Sequence, residues 1–279
     1  MQPSKFEYRK AATLDEAVSL GSGGADYLAG GHSLIPAMKL RLSEPGTLVD
    51  ISGIDDLKGI NREGDTIKIG ALTTHSEVAS SDVVKDGCTA LADAAGMIGD
   101  PQVRNRGTIG GNVAHADPAS DYPGILVALG ATIVTTSGST AAEDFFTGLF
   151  ETALGEGEIV TEVRVPATGD GTGAAYSKFF NPASRYAVVG VGAVVSKSGG
   201  TCESCRIGVT GASDHAYRAT AAEEALTGSD LGDEAIAAAA AKVADGGEMM
   251  SDLSASAQYR THLCSVMAKR AISEAVSRA

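Results

Sequence analysis

Two glycine pairs, Gly30-Gly31 and Gly110-Gly111, lie 80 residues apart and constrain this 279-residue chain more than any other feature. Adjacent glycines remove side chains where something must approach the backbone closely. They also permit φ > 0, which turns successive N–H groups toward one point. Such a concavity of amides suits an anion, typically a phosphate. The first pair lies in Ala29-Gly30-Gly31-His32-Ser33, after the run Ala25 to Leu28 and before Leu34-Ile35-Pro36-Ala37-Met38-Lys39-Leu40. That order reads as strand, glycine turn and helix start, with Ser33 able to cap and the helix N-terminus facing a bound anion. The second pair lies in Thr108-Ile109-Gly110-Gly111-Asn112, where Thr108 and Asn112 add a hydroxyl and an amide at the rim. A lone Gly-Gly is most often a tight turn. Two such cradles fit a ligand with two phosphates.

Composition narrows the class. With 43% hydrophobic and 20% charged residues, the chain reads as a soluble globular protein of one large or two ordinary domains. A net charge of −13 argues against nucleic acid, which needs a basic footprint. No run of 18 apolar residues predicts a membrane span, and Met1 to Lys5 leads into no apolar signal region, so a cytoplasmic location is expected. Cys202-x-x-Cys205 lacks the second pair that a zinc site would need, and Arg206 to Thr210 after it reads as a strand, not a redox helix. The pair reads as incidental, and the chain shows no four clustered thiolates for an iron–sulfur cluster. Gly21-Ser-Gly-Gly24 follows a helix and precedes a strand, the reverse of a dinucleotide fingerprint.

Along the chain, Thr13-x-x-Glu16 and Thr74-x-x-Glu77 are capping boxes. Residues 1 to about 52 make a small β/α unit, and Ser52 to Asp65 reads as turn-rich. Thr66–Gly70, Ala131–Thr135 and Glu158–Val165 read as strands, and Leu91–Met97 and Tyr122–Leu129 as helices. Phe145, Phe146, Leu149 and Phe150 fall at helical spacing, which predicts a core stripe. Ala167 to Gly173 lacks apolar periodicity and marks a boundary. Three strand-like runs follow, 174–180, 187–195 and 205–209, then three helices, 217–226, 233–244 and about 254–277. Strands then helices suggest an α+β domain. Tyr259, Leu263, Val266, Met267 and Ala271 share one face of the last helix.

No catalytic triad, paired catalytic carboxylates or metal cluster stands out in the sequence. His32, inside the first cradle, could contact a ligand or support the turn. His75 reads as structural, since Thr74 beside it is already a cap, and His115 just past the second cradle is open. Asp121 could accept hydrogen bonds from ribityl or ribose hydroxyls, or cap the following helix, and Asp117 follows the same logic. Lys39, Arg41, Arg104 and Arg106 flank the cradles and could face phosphates, a partner or solvent.

Ala29-Gly-Gly-His-Ser33 and Thr108-Ile-Gly-Gly-Asn112 resemble the two flavin signatures of the FAD-binding medium subunit of molybdenum hydroxylases, the family of aerobic carbon monoxide dehydrogenase and xanthine dehydrogenase relatives. The likeness extends to Ile69-Gly-Ala-Leu-Thr-Thr-His75, Asp117-Pro-Ala-Ser-Asp121, Glu158-Ile-Val160 and Tyr259-Arg260, nearly the whole chain. It implies an α+β protein: a two-lobed FAD-binding domain of vanillyl-alcohol-oxidase type over 1–170, with lobes of about 1–52 and 53–170, then a smaller domain over 171–279. It implies that FAD contacts Leu28, Ala29, Gly30, Gly31, His32, Ser33 and Leu34 in the first stretch. In the second it implies Gly107, Thr108, Ile109, Gly110, Gly111 and Asn112. Asp117, Asp121, Ile159 and Val160 flank the flavin on the same likeness, Lys178 offers a cation for reduced flavin, and Tyr186 a ring over its face. It further implies a large molybdenum-cofactor subunit and a small subunit with two [2Fe–2S] clusters, assembled as a dimer of heterotrimers. Electrons would pass from those clusters through FAD to quinone, NAD or oxygen. A stand-alone flavin-dependent oxidoreductase and an assembly subunit that has lost FAD are the competing readings.

Overall fold

The computed structural model describes residues 2–279. The chain opens with β1 (Glu7–Lys10), α1 (Leu14–Gly21), β2 (Asp26–Leu28), α2 (Leu34–Leu40) and β3 (Thr47–Asp50). The three strands form a parallel sheet in the order β1-β3-β2, so β2 is an edge. Thr13 caps α1, accepting from the Glu16 N–H at 3.2 Å. The Glu16 carboxylate reaches past Thr13 to accept from the Ala12 N–H at 2.7 Å.

The region of the second sheet opens with β4 (Ile60–Glu63) and β5 (Thr66–Gly70). Then come α3 (His75–Ser80), α4 (Asp82–Gly87), α5 (Thr89–Met97), α6 (Pro101–Arg104), α7 (Ile109–His115) and α8 (Asp121–Leu129). β6 (Thr132–Thr135), β7 (Ser139–Ala141), α9 (Ala142–Phe145), β8 (Phe146–Gly148), β9 (Glu151–Thr152) and β10 (Val160–Pro166) complete it. An antiparallel sheet runs β4-β5-β10-β6-β7. β4 corrects the turn-rich reading of Ser52 to Asp65. Its polar residues Asn61, Arg62 and Glu63 stay exposed on an edge, so no apolar alternation marks it. The helical stripe is also corrected. Phe145 and Phe146 are buried, but the chain turns into the β8–β9 hairpin, which leaves Leu149 and Phe150 exposed at its tip, Phe150 with φ +56°.

β11 (Thr172–Phe180), β12 (Ala187–Ser198), β13 (Thr201–Thr210) and β14 (Tyr217–Arg218) form one antiparallel sheet in chain order. The expected sheet had three strands. The fourth, β14, is two residues at what read as a helix start, and α10 begins only at Thr220 (Thr220–Leu226). α11 (Asp233–Ala240) is shorter than its alanine run, and α12 (Ala257–Arg278) closes the chain. On α12, Leu263, Met267 and Ala271 are buried as expected, whereas Tyr259 is exposed and Val266 half-buried. Cys202 and Cys205 are free thiols on β13 within the apolar core of this sheet. Burial pushes both up, against thiolate chemistry.

α8 joins the two halves. All nine of its residues are buried. A Cβ on Gly192 of β12 would lie 2.9 Å from Ile125 Cδ1, and one on Gly208 of β13 would lie 2.7 Å from the Ala128 nitrogen. Glycines on the sheet thus let the helix lie close against it. Below the sheet, the buried Arg260 guanidinium fastens α12. Its Nη1 donates to Val188 O at 2.7 Å and also to Gly211 O, and Nη2 pairs with Asp252 at 2.6 Å. Removing it leaves two buried carbonyls and a carboxylate without their donor. Arg260→Met is expected to lower unfolding free energy by about 3 kcal/mol, read from urea denaturation.

Candidate functional site

The second glycine stretch is stitched to the segment that leaves β5. The Ile109 N–H donates to Thr73 O at 3.0 Å, the Gly110 N–H to Ala71 O at 2.8 Å, and the His75 N–H to Gly107 O at 3.0 Å. Thr108 caps α7, accepting from the Gly111 N–H at 3.2 Å, and the Asn112 N–H donates to Thr108 O at 3.0 Å. Every amide from Ile109 to Asn112 is therefore engaged within the protein. Neither Gly110 nor Gly111 has φ > 0. The expected amide concavity is absent here, and the glycines serve close packing instead. A Cβ on Gly110 would lie 2.8 Å from Ala71 Cα, and one on Gly111 2.8 Å from Thr108 Oγ1.

The first stretch behaves differently. Gly31 takes φ +74°, and among the described residues the N–H groups of Gly30, Gly31, His32 and Ser33 donate to no protein acceptor. Ser33 sits at the N-cap of α2 without a capping side-chain bond. These amides are left available to an anion, whereas those of the second stretch are not. The two stretches touch through bare backbone. A Cβ on Gly30 would run into the Arg106 carbonyl and come within 2.9 Å of Gly107 Cα. A Cβ on Gly107 would in turn lie 2.5 Å from His75 Nε2.

Around this junction lies a cavity of about 610 Å³, a size that suits a ligand of many atoms. The structure brings Ala29, Gly30, Gly31, His32, Ser33, Leu34, Gly107, Thr108, Gly110, Gly111, Asn112, Asp121, Ile159, Val160 and Tyr186 onto its wall. Leu28, Ile109, Asp117 and Lys178 lie off it. Leu28 packs behind Gly31, Ile109 is core, and Asp117 folds back to accept from the Ala119 N–H at 2.9 Å. Tyr186 reaches from the C-terminal half onto the wall that Ser33 also lines. The wall also includes Asp26, Tyr27, Ser43, Leu72, His75, Ile98, Glu158 and Arg185, none of which the sequence singles out as a contact. Asp26 and Tyr27 stand just before the first glycine motif, with only Leu28 between, and that proximity is the one sequence signal they carry. Among the described residues no group of histidine, cysteine and carboxylate side chains is arranged to hold a metal.

Two buried polar groups set the electrostatics. Asp121 is the first residue of α8, not its cap. Its carboxylate accepts from Tyr176 Oη and Lys178 Nζ, both at 2.7 Å, and Lys178 also donates to Met97 O at 3.3 Å. The Lys178 and Asp121 side chains are only 2% and 4% exposed, so each charge answers the other. Burial pushes the Asp121 carboxyl up, and the Lys178 ammonium and Tyr176 hydroxyl pull it back. His75 is buried edge-on to Tyr122, ring centroids 5.3 Å apart, with its Nδ1 lacking a protein partner. Burial, with His32 and Arg104 nearby, pushes its pKa down to about 4. His75 is thus neutral and supports Gly107, in line with its structural reading.

Comparison with known proteins agrees with this architecture. The family described as "FAD binding domain in molybdopterin dehydrogenase" matches residues 4–168, and "CO dehydrogenase flavoprotein C-terminal domain" matches residues 174–275. The chain is 41% identical to the carbon monoxide dehydrogenase medium chain of Hydrogenophaga pseudoflava, over 100% of this chain and 99% of the relative. It is 37% identical to the glyceraldehyde dehydrogenase medium chain of Sulfolobus acidocaldarius, over 98% of this chain and 99% of the relative. The solved carbon monoxide dehydrogenase of H. pseudoflava, a form lacking the Mo-pyranopterin moiety, superposes with a TM-score of 0.95 at 43% identity, covering 100% of this chain and 99% of that one.

The His75 environment has a measurable consequence. Its folded pKa of about 4 lies below the ordinary 6.5, so the unfolded chain takes up the proton first as pH falls. The associated stability is present above pH 6.5 and is lost as pH falls toward 4. His75→Gln should remove about 2 kcal/mol of the stability lost between about pH 7 and about pH 5, read from urea midpoints of both proteins.

Proposed function

The chain belongs to the FAD-binding medium subunits of the molybdenum hydroxylase family, and on that premise we propose that it is the FAD-carrying electron-transfer subunit of such a complex. The observation that carries the reading is the bare-backbone junction of Gly30 with Arg106 and Gly107 beside four unsatisfied amides. The fit to FAD is physical. Free N–H groups at Gly30 to Ser33 suit a pyrophosphate, and a side chain at Gly30, Gly107 or Gly110 would break the surface that presents them. When bound there, FAD supplies the redox chemistry, accepting electrons from an iron–sulfur partner and delivering them to quinone, NAD or oxygen.

The chain's own residues bind and orient. The amides of Gly30 to Ser33 hold the phosphates. The side-chain amide of Asn112, whose Oδ1 accepts from Ser120 Oγ at 2.5 Å, keeps its NH₂ free to donate to the ligand. Ile159 and Val160 give an apolar wall that excludes water, and Tyr186 lies across the rim from the C-terminal half. Lys178 and Asp121 act as a pair. Set beside the cavity, they fix its floor and place a compensated charge near the flavin, and Leu28, Ile109 and Asp117 support the wall from behind.

The lobes 1–52 and 53–170 close on FAD, and residues 171–279 carry the Tyr186 rim. The partners are a large molybdenum-cofactor subunit and a small subunit with two [2Fe–2S] clusters, in a dimer of heterotrimers within the cytoplasm. Among the described residues no helix is long and apolar enough to cross a membrane. Relatives named carbon monoxide dehydrogenase medium chain and glyceraldehyde dehydrogenase medium chain match this chain along nearly their whole length, which supports placing substrate choice in the large subunit. The test is a complex reassembled with Gly110→Val. It should still let substrate reduce the partner's clusters but should lose flavin and acceptor reduction by at least a hundredfold. Acceptor reduction by the isolated wild-type chain with an oxidisable substrate would instead establish a stand-alone oxidoreductase.

A further inference from the structure

Helix α2 carries too little polar surface for an exposed helix. In Leu34-Ile35-Pro36-Ala37-Met38-Lys39-Leu40 only Lys39 is polar, and a helix apolar all round is normally buried. Its inner side is covered: Met38 is core, and Leu34 and Ala37 line the cavity. Ile35, Pro36, Lys39 and Leu40 share the outer side, with Ile35 38% and Leu40 53% exposed. The helix then ends on a strained turn. The Leu42 N–H donates to Ala37 O at 2.9 Å and the Arg41 N–H to Met38 O at 3.1 Å, which is a Schellman closure. Its pivot takes the left-handed conformation usual for glycine, yet it is Arg41, with φ +58°. Strain of this kind persists where function needs it. The next residue of such a closure often packs back on its helix, but Leu42 stands outward, 79% exposed.

We infer that the outer side of α2, from Ile35 to Leu42, is the docking face for the iron–sulfur subunit. The inference rests on the reading of the chain as the FAD subunit of such a complex. Two observations select this partner. The first is distance. The inner side of α2 is cavity wall, and the outer side lies one helix diameter away, about 10 Å. A cluster docked here faces the cavity across a single helix, and electron transfer falls steeply with distance. The second is charge. A [2Fe–2S] cluster held by thiolates carries net negative charge, and this chain carries −13 of its own, so most of its surface repels such a partner. Lys39 and Arg41 form no ion pair among the described residues. Glu44, close by in sequence, accepts from Ser4 Oγ at 2.7 Å instead. The face is thus apolar with two uncompensated cations. Other exposed apolar residues lack that combination. Leu149 and Phe150 are followed by Glu151, and the Arg185 cation lies over the Phe180 ring, 5.3 Å from its centroid.

The test is a cross-link in the assembled complex. Cys88, Cys202, Cys205 and Cys264 are all buried, so Leu42→Cys supplies one accessible thiol for a maleimide-benzophenone, with wild type as the labelling control. Irradiation of the complex of this chain with its large and small subunits should join position 42 to the small iron–sulfur subunit, identified by peptide mass. Leu42→Asp should weaken association with that subunit about tenfold or more, with the urea midpoint of the free chain unchanged. Arg41→Gly removes the cation and the strain together. It should hold or raise the midpoint, since glycine suits the left-handed turn, and still slow association at low salt about threefold. A cross-link to the large subunit, to a second copy or to nothing, or association unmoved by Leu42→Asp, would overturn the docking face while leaving the FAD reading standing. A wild-type chain that assembles with no iron–sulfur subunit would overturn the subunit reading and this inference with it.

Discussion

The backbone of Gly30 rests on the carbonyl of Arg106 with no side chain between them, and the site depends on that contact. It joins the first glycine stretch to the second where Gly30 and Gly107 present bare backbone. The second stretch is made rigid by its bonds to Ala71, Thr73 and Thr108, so it acts as a base. The first stretch is left with its amides unspent. One glycine pair builds the platform and the other presents the donors. The division follows from backbone bookkeeping, since amides already bonded within the protein cannot serve a ligand.

The C-terminal sheet holds this arrangement from the other side. Thr210 Oγ1 donates to Pro118 O at 3.0 Å and to Ser120 O at 2.6 Å, and the Ala187 N–H donates to Ala119 O at 2.9 Å. The turn that leads from α7 into α8 is therefore clamped by β12 and β13. The Lys178–Asp121 pair adds a buried ionic latch at the same place. At the periphery, Glu143 pairs with Arg206 at 3.4 Å and Arg218 at 3.2 Å, and Arg278 pairs with Asp93 at 3.0 Å. These exposed pairs contribute little stability each, and the buried latch sets the geometry of the wall.

Much of this was legible in the sequence because it depends on local chemistry. The capping box at Thr74 and Glu77 forms with both halves present. The glycine motifs fall on the same cavity, and the chain divides into sheets of the expected α+β class. The rest depends on partners distant in sequence. Asp121 and Lys178 each look like a ligand-facing charge until the fold sets them 2.7 Å apart. Gly110 looks like a turn glycine, and its need is the approach of Ala71. β4 and β14 lack apolar alternation because edge strands need none, and Leu149 and Phe150 break their stripe at a hairpin that spacing alone does not mark. Asp26 and Tyr27 read only as a strand, since their position on the cavity follows from which edge of the sheet stays unpaired.

The most direct measurement is the flavin content of the purified chain after saturation with FAD and removal of excess, with the cofactor released by denaturation and identified. The account predicts FAD, close to one per chain, with the near-ultraviolet and visible bands of oxidised flavin before release. A folded chain that retains no FAD after such treatment would contradict it.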